Sequence, residues 1–397
     1  MKGSNAKQNK ALNLRLALSQ IVALGPISRV EIARNTNLTK QTITNMVETL
    51  LEHDLVSEVG IKKAEGAGKP SKMLCFNEKA AYSIAIRIME NELFVGMFKL
   101  NGDCINSLTT LFSPNELVSK ATYLVNTLVN IENIDSSKVL AVGLAMQDSN
   151  NFALDAHKVA KETQVALAES LNLPVALEST ASACAAYQML FGEAQTLQSF
   201  VYVHIGNRVE SSVVYNRDIL LGQNGLTGAL GDIFVTPETD NDTGELGRLN
   251  DFSSLNSLKA ALNIDNQKHD DFLANLTADN KLLESWVNRA EEPMRIAIHT
   301  IESIFNSQTI ILGGAINDWL LDPLIKQLRP SIPSIAHSGE RQVIRLIKTP
   351  EVSQITQKGI ATLPLYAALG FENHHILYCP TALQATPLQA LIYALDA

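Results

Sequence analysis

Between Gly25 and Thr39 the chain carries, in quick succession, signals to stop a helix, start another, stop again and start a third. Gly25-Pro26 ends an apolar helical segment. Ser28 is followed three residues later by Glu31, the capping-box spacing in which hydroxyl and carboxylate each satisfy a backbone N–H at a helix start. Asn37-Leu38 makes a tight turn, and Thr39 caps the third helix. So little chain between two caps leaves few options: two short helices meeting at a turn and packed on a third.

The flanking periodicity supplies those helices. In QNKALNLRLALSQIVAL, residues 8–24, Leu12, Leu14, Leu16, Leu18, Ile21, Val22 and Leu24 fall mostly on one face. RVEIARNT buries Val30, Ile32 and Ala33. KQTITNMVETLLEHDLV turns Ile43, Met46, Val47, Leu50 and Leu51 inward and leaves Lys40, Gln41, Thr42, Thr44 and Asn45 outward. Gln and Asn pair bidentately with adenine edges, Lys reaches guanine or phosphate, and Thr meets thymine methyls. Arg29 and Arg34 sit where the preceding helix would cross the phosphate backbone, and Ser28 and Thr39, at the two helix starts, complete the expected contact set. A helical bundle with a solvated polar face is the competing reading.

Leu55-Val56-Ser57-Glu58-Val59 then reads as a strand, followed by the loop GIKKAEGAGKPSK and the strand MLCFN. A basic, glycine-rich hairpin behind a helix-turn-helix is a wing, with Lys62, Lys63, Lys69 and Lys72 as phosphate contacts that position without reading sequence. The competing reading is a linker. Charge favours the wing. Residues 1–80 hold 12 Lys+Arg against 7 Asp+Glu, net +5, while the rest of the chain holds 20 against 34, net −14. A basic head on an acidic body points to double-stranded DNA for the head and another task for the body.

At 397 residues two or three domains are expected, here a head over 1–78 and a body over 79–397. No apolar run reaches a membrane span, and MKGSNAKQNK lacks a signal-peptide core, so no membrane partner and a cytoplasmic location are expected. Cys75, Cys104, Cys184 and Cys379 form no CxxC pair, which predicts free thiols. The body shows strands in SIAIRIM, ELFVGMFKL and VLAVGLAM, then VALAESLN as helix, LPVALE as strand and TASACAAYQMLFGEA as helix. A hairpin in SFVYVHIGNRVESSVVYNRDIL comes next, and a helix near 291–306 leads into TIILGGA. Hairpins followed by alternating helix and strand predict a mixed α/β fold.

An N-terminal winged helix-turn-helix followed in order by LPVALESTASACAAYQMLFGEA, SFVYVHIGNRVESSVVYNRDILLGQNGLTGALGD and IESIFNSQTIILGGA resembles the ROK family of repressors and sugar kinases, in its repressor branch. The resemblance covers nearly the whole chain. It implies an actin/hexokinase-like body of two α/β lobes and control of sugar-metabolism genes.

The resemblance also implies a kinase site, and this chain departs from it at each step. In AIRIMEN, Arg87 stands where the family's kinases carry an Asp and Met89 where they carry a Gly. Of the second glycine-rich turn only Gly206 survives in GNRVESS, and Glu210 would repel a triphosphate. Family kinases end the LPVALE strand in Glu-Asn-Asp, the Asp acting as base toward a sugar hydroxyl; here it is Glu178-Ser179-Thr180, and a threonine hydroxyl cannot accept that proton near neutrality. Gly-Glu-Ile-Gly-His becomes Gly228-Ala229-Leu230-Gly231-Asp232, and TPETDNDTGELGRLND holds neither Cys nor His, so no zinc, cofactor or catalytic residue is expected. His204 reads as a core residue, and His299, His374 and His375 lack metal-type partners.

Gln147, Asp148, Asn150, Glu178, Ser179, Thr180 and Asp232 remain as candidate contacts to a sugar or sugar phosphate effector, although Ser179 and Thr180 can equally serve only as a helix cap. The expected whole is a transcriptional repressor acting as a homodimer, with tetramers left open. Two alternatives stand beside it: a sugar kinase or bifunctional kinase-regulator, and a regulator whose body binds only a protein.

Overall fold

A computed structural model describes residues 6–62, 71–147, 156–222, 225, 227–235, 247–264, 269–277, 279–328, 335–338, 345–370 and 373–395. The head comprises α1 (Ala6–Leu24), β1 (Ile27–Ser28), α2 (Arg29–Thr36), α3 (Lys40–Glu52), β2 (Val56–Lys62) and β3 (Ser71–Phe76). Its three strands pair in the order β1-β3-β2. The first lobe comes next: β4 (Tyr82–Met89), β5 (Glu92–Lys99), β6 (Cys104–Leu111), α4 (Leu117–Ile131), β7 (Val139–Gln147), α5 (Ala156–Leu171), β8 (Val175–Leu177) and α6 (Thr180–Leu190). The second lobe opens with β9 (Phe200–Ile205), β10 (Val209–Tyr215) and β11 (Asp218–Ile219). After β12 (Phe234–Val235) and β13 (Gly247–Arg248) come α7 (Leu249–Ser253), α8 (Leu255–Ala261), α9 (His269–Asn275) and α10 (Lys281–Phe305). It closes with β14 (Thr309–Gly314), α11 (Asp318–Gln327), β15 (Leu346–Lys348) and α12 (Val352–Leu369), before β16 (Leu377–Tyr378) and α13 (Pro387–Tyr393) return to the first lobe.

Among the described residues one sheet runs β16-β8-β7-β4-β5-β6 and another β11-β10-β9-β14-β15. In each, antiparallel hairpin strands join a parallel set, β4-β7-β8 in the first and β9-β14-β15 in the second. One face of the first sheet packs on α4 and α5 through Ile84, Ile86, Val95, Val125 and Leu167. The outer face of the second packs on α7 to α11 through Val201, Val203, Trp286, Met294 and Leu320. Between the sheets lie α6 and α12, in a core that takes Ala85, Phe98 and Ala145 from one sheet and Phe200, Tyr202 and Ile311 from the other. The same core continues into the head through Leu14, Leu18, Ile21, Ile32, Ile43 and Leu50.

The close approach of α6 and α12 explains the alanines of the former. A methyl on Gly359 would sit 2.8 Å from the backbone of Ala183 and Cys184, and one on Gly143 of β7 would sit 1.8 Å from the carbonyl oxygen of Ile360. At the far end of α6 the rings of Tyr187 and Phe191 lie 6.0 Å apart, and Phe191 is 6.3 Å from Phe76 of the wing strand β3.

Three expectations are corrected. Val30 is 42% exposed because it lies about 200° around α2 from fully buried Ile32. Leu24, the last residue of α1, is exposed, and Leu12, Leu16 and Leu51 are only partly covered. The helix placed near 291–306 begins at Lys281, where Asn280 caps it through the Leu282 N–H, and Pro293 is accommodated inside it. Among the described residues no helix is long and apolar enough to cross a membrane.

Because α12 has no clearance over Ala183, Gly359→Ala is expected to lower the unfolding free energy by about 1–3 kcal/mol. Urea denaturation with unchanged m-value is the check.

Candidate nucleic-acid interface and interlobe cleft

The caps read from the sequence are formed. The Ser28 side chain accepts from the Glu31 N–H, Glu31 accepts in return from the Ser28 N–H at 2.9 Å, and Asn37 ends α2 with φ 55°. Thr39 caps α3 by accepting from the Thr42 N–H at 3.1 Å. This places Lys40, Gln41 and Asn45 on the exposed face of α3, with Gln41 donating to Asn45 at 2.9 Å. Thr44 donates back to the Lys40 carbonyl and Thr42 shares a hydrogen bond with Thr39, so both hydroxyls are engaged within the helix start. Arg34 is exposed. Ser28 is a correction: at 3% exposure, with its hydroxyl 2.7 Å from Glu31, it builds the helix start and offers no free surface. Arg29 and Lys72 both reach Glu58, an acidic residue that no motif in the sequence marks out. Lys63 and Lys69 lie outside the described residues, as does the side chain of Lys62.

In the body, β8 ends at Leu177 and α6 begins at Thr180, as expected. Ser179 is the cap, accepting from the Ser182 N–H at 3.1 Å, and Thr180 is only 2% exposed in the first turn. Ser182 reaches across to Ser212 of β10, 3.3 Å away. Burial pushes the Glu178 carboxyl up to about 7, against the Ser179 N–H and the charge of Lys161 on α5, which pull it down. Lys161 carries no signal in the sequence, since nothing there shows α5 folding over this strand end. Asp148 and Asn150 lie outside the described residues, and so does the Gln147 side chain.

Asp232 does not join this group. It accepts from Arg208 at 2.5 Å, lies 3.6 Å from Arg248, and takes a bond from Asn250 at 3.4 Å. It ties the β9–β10 turn to α7, which makes it a support of the second lobe. Gly228 is kept for a related reason: its φ is 92°, and a methyl there would meet the Ser211 carbonyl oxygen at 1.8 Å.

Between the lobes, charged and polar side chains are engaged with one another. Arg87 is 4% exposed, donates to Glu92 at 3.2 Å and stacks 5.5 Å from the Phe94 ring centre. Asn207, in the turn after β9, donates to Glu90 in the turn after β4 at 3.2 Å, joining the lobes. His204 is fully buried, 3.1 Å from the Thr356 hydroxyl, and burial together with Arg87 presses its pKa to about 3, so the ring is neutral. A cavity of about 250 Å3 remains, lined by Arg87, Ala315, Asn317, Ser353, Thr356 and Gln357 among others. Glu178, Ser179, Thr180 and Asp232 do not line it.

The sequence pattern of the ROK family matches residues 124–363, more than half of the chain. The chain belongs to the ROK family. It is 27% identical over 235 residues to a Xylose repressor of Bacillus spizizenii, and this match spans 57% of the chain and 61% of that protein's length. With a Xylose repressor of Staphylococcus xylosus it shares 23% identity over 384 residues, 91% of the chain and 96% of the relative. Among solved structures, a ROK family transcriptional regulator described as a homolog of E. coli MLC superposes with a TM-score of 0.65 at 19% identity, covering 90% of the chain and 96% of its own. A ROK family glucokinase from Streptomyces griseus, in complex with glucose and AMPPNP, gives 0.53 at 19% identity over 71% of the chain and 99% of its own. The fold is thus the mixed α/β, hexokinase-like ROK fold, as anticipated.

The Glu178 value has a measurable consequence. A folded value near 7 lies above the ordinary 4.5, so its burial costs nothing below pH 4.5, where both states are protonated. The cost grows as pH rises and is complete above about pH 7, where it approaches about 3 kcal/mol. Glu178→Gln should therefore gain stability over the wild type between pH 4.5 and 8, measured by denaturant unfolding across that range.

Proposed function

We propose that this chain is a DNA-binding transcriptional regulator, a repressor of carbohydrate-metabolism genes, whose kinase-shaped body dimerises and no longer performs phosphoryl transfer. The observation that carries this reading is α3: a capped helix presenting Lys40, Gln41 and Asn45 together, on a head with a surplus of cations. Relatives named as xylose repressors support it, as does a relative named DNA-binding transcriptional dual regulator NagC. Residues 1–78 are taken as the DNA-binding unit and 79–397 as the body, in a cytoplasmic protein.

Loss of catalysis rests on what the residues are. Thr180 offers no base where a sugar hydroxyl would lose its proton, and Arg87 with Glu92 replaces an aspartate that would hold a cation. The polar strand end at Glu178 to Thr180 is the place for a sugar-class effector, in keeping with relatives named for xylose and N-acetylglucosamine. An effector there acts only if it favours one arrangement of the head over another. The route is short, because α6 begins at Thr180 and ends against the wing strand at Phe191 and Phe76. Two heads on a two-fold dimer call for a pseudo-palindromic operator with half-sites whole helical turns apart.

The test is direct. A duplex recovered from random-sequence selection should lose at least about 30-fold in affinity for Gln41→Ala/Asn45→Ala, given about 1–3 kcal/mol per base-reading pair. Weak, salt-sensitive binding to scrambled DNA should survive. Unchanged footprints in the double variant, or ATP-dependent phosphorylation of a sugar by the wild type, would refute the reading.

A further inference from the structure

The wing and the helix-turn-helix are joined at one carboxylate. Glu58 accepts from Arg29 Nη2 on Oε1 at 3.1 Å and from Lys72 Nζ on Oε2 at 2.5 Å. The two cations belong to different elements: Arg29 is the first residue of α2, and Lys72 lies on the returning strand β3. All three side chains keep an exposed part, 26% for Arg29, 28% for Glu58 and 63% for Lys72.

The hairpin is irregular at this point. Glu58 stands opposite Leu74 while Ile61 stands opposite Lys72, so three steps along β2 match two along β3. Gly60, at φ 68°, lies within that extra residue's span. A bulge of this kind bends a strand and breaks the regular ladder locally. On its near side, Leu74 also pairs with Ile27 of β1, which leads straight into α2. On its far side Lys72 stands opposite Ile61, and Ser71 opposite Lys62. The Glu58–Lys72 pair spans the bulge, and the Glu58–Arg29 pair anchors the same carboxylate to the helix. Hydrogen bonding from Lys72, then from Arg29, holds the Glu58 carboxyl below the usual range, so it stays ionised at neutral pH.

Two cations around one carboxylate leave the group positive, and guanidinium and ammonium have more N–H donors than Glu58 uses. We propose that Glu58 is a positioning residue of the DNA surface: acting through Arg29 and Lys72, it fixes the wing against the start of α2 so that both cations meet the phosphate backbone already in place. This rests on the DNA-binding reading above. Without Glu58 the two cations repel each other, and their side chains must be brought into place at the moment of binding, which weakens it. Charge alone predicts the reverse, because deleting an anion from a phosphate-facing surface strengthens binding to every duplex. The two effects differ in sign, and that makes the proposal decidable.

The experiment titrates full-length wild type and Glu58→Gln, by fluorescence anisotropy, against the duplex recovered by selection with the wild type and against a scrambled duplex. Expected is a roughly three- to tenfold loss on both duplexes, because phosphate contacts carry no sequence information and two exposed ion pairs are worth little each. Adding Glu58→Gln to an Arg29→Ala/Lys72→Ala chain should then bring no further loss, leaving only the tightening that deletion of an anion gives, since the residue positions through those partners. Tighter binding to both duplexes, or a loss that persists in the Arg29→Ala/Lys72→Ala background, overturns the proposal. A wild type that prefers no duplex removes the DNA-binding reading itself, a result distinct from either of these.

Discussion

The contact between α6 and α12 governs the arrangement of everything else in this chain. Alanines on one helix and Gly359 on the other let the two backbones come within ordinary atomic contact, so the pair forms a thin slab. Both large sheets pack on that slab, one on each side, and the head leans on it as well. Close packing of this kind leaves no slack, because protein interiors are as dense as organic crystals. A shift at one end of α6 is therefore felt at the other. One end carries Glu178, Ser179 and Thr180, and the opposite end carries Phe191, which meets Phe76 of β3 and is flanked by Tyr187. A packed helix thus connects that strand end to the head.

The side chains between the lobes are tied to one another. Arg87 and Glu92 neutralise each other under cover, and a buried pair of that sort is tolerated only because each satisfies the other. Glu90 and Asn207 link the turn after β4 to the turn after β9. Asp232 holds two arginines of the second lobe. Gly228 persists because the backbone of Ser211 passes too close for a side chain, a packing reason that outlives any chemistry. Arg87, Glu92, Glu90, Asn207 and Asp232 are thus employed as structure.

The head obeys a different logic, in which charge is arranged on a small and well-capped frame. Its helices are short, and Ser28, Glu31, Asn37 and Thr39 settle where each begins or ends. The core that supports α3 is continuous with that of the body, so the head is not a loosely tethered module. Glu58 joins this frame as an anion that holds Arg29 of α2 and Lys72 of β3.

Much of this was legible in the linear sequence, for a physical reason: caps, turns and helical periodicity are local, and they act within a few residues. The helix-turn-helix, the exposure of Lys40, Gln41 and Asn45, the strand end at Leu177 and the cap at Ser179 are all set by neighbours in the chain. The identity of Thr180 and Arg87 likewise speaks without coordinates. What only the tertiary structure decided is which distant groups meet. Lys161 lies near Glu178 because α5 folds over β8, Asp232 faces Arg208 and Arg248 instead of the strand end, and Val30 points outward once Ile32 fixes the inner face of α2. The wing was visible as a basic hairpin, but its bulge was not, since register is set by pairing between strands and leaves no mark on either strand alone. Electrostatic partners across such a gap are properties of the folded chain, and Glu58 became visible only there.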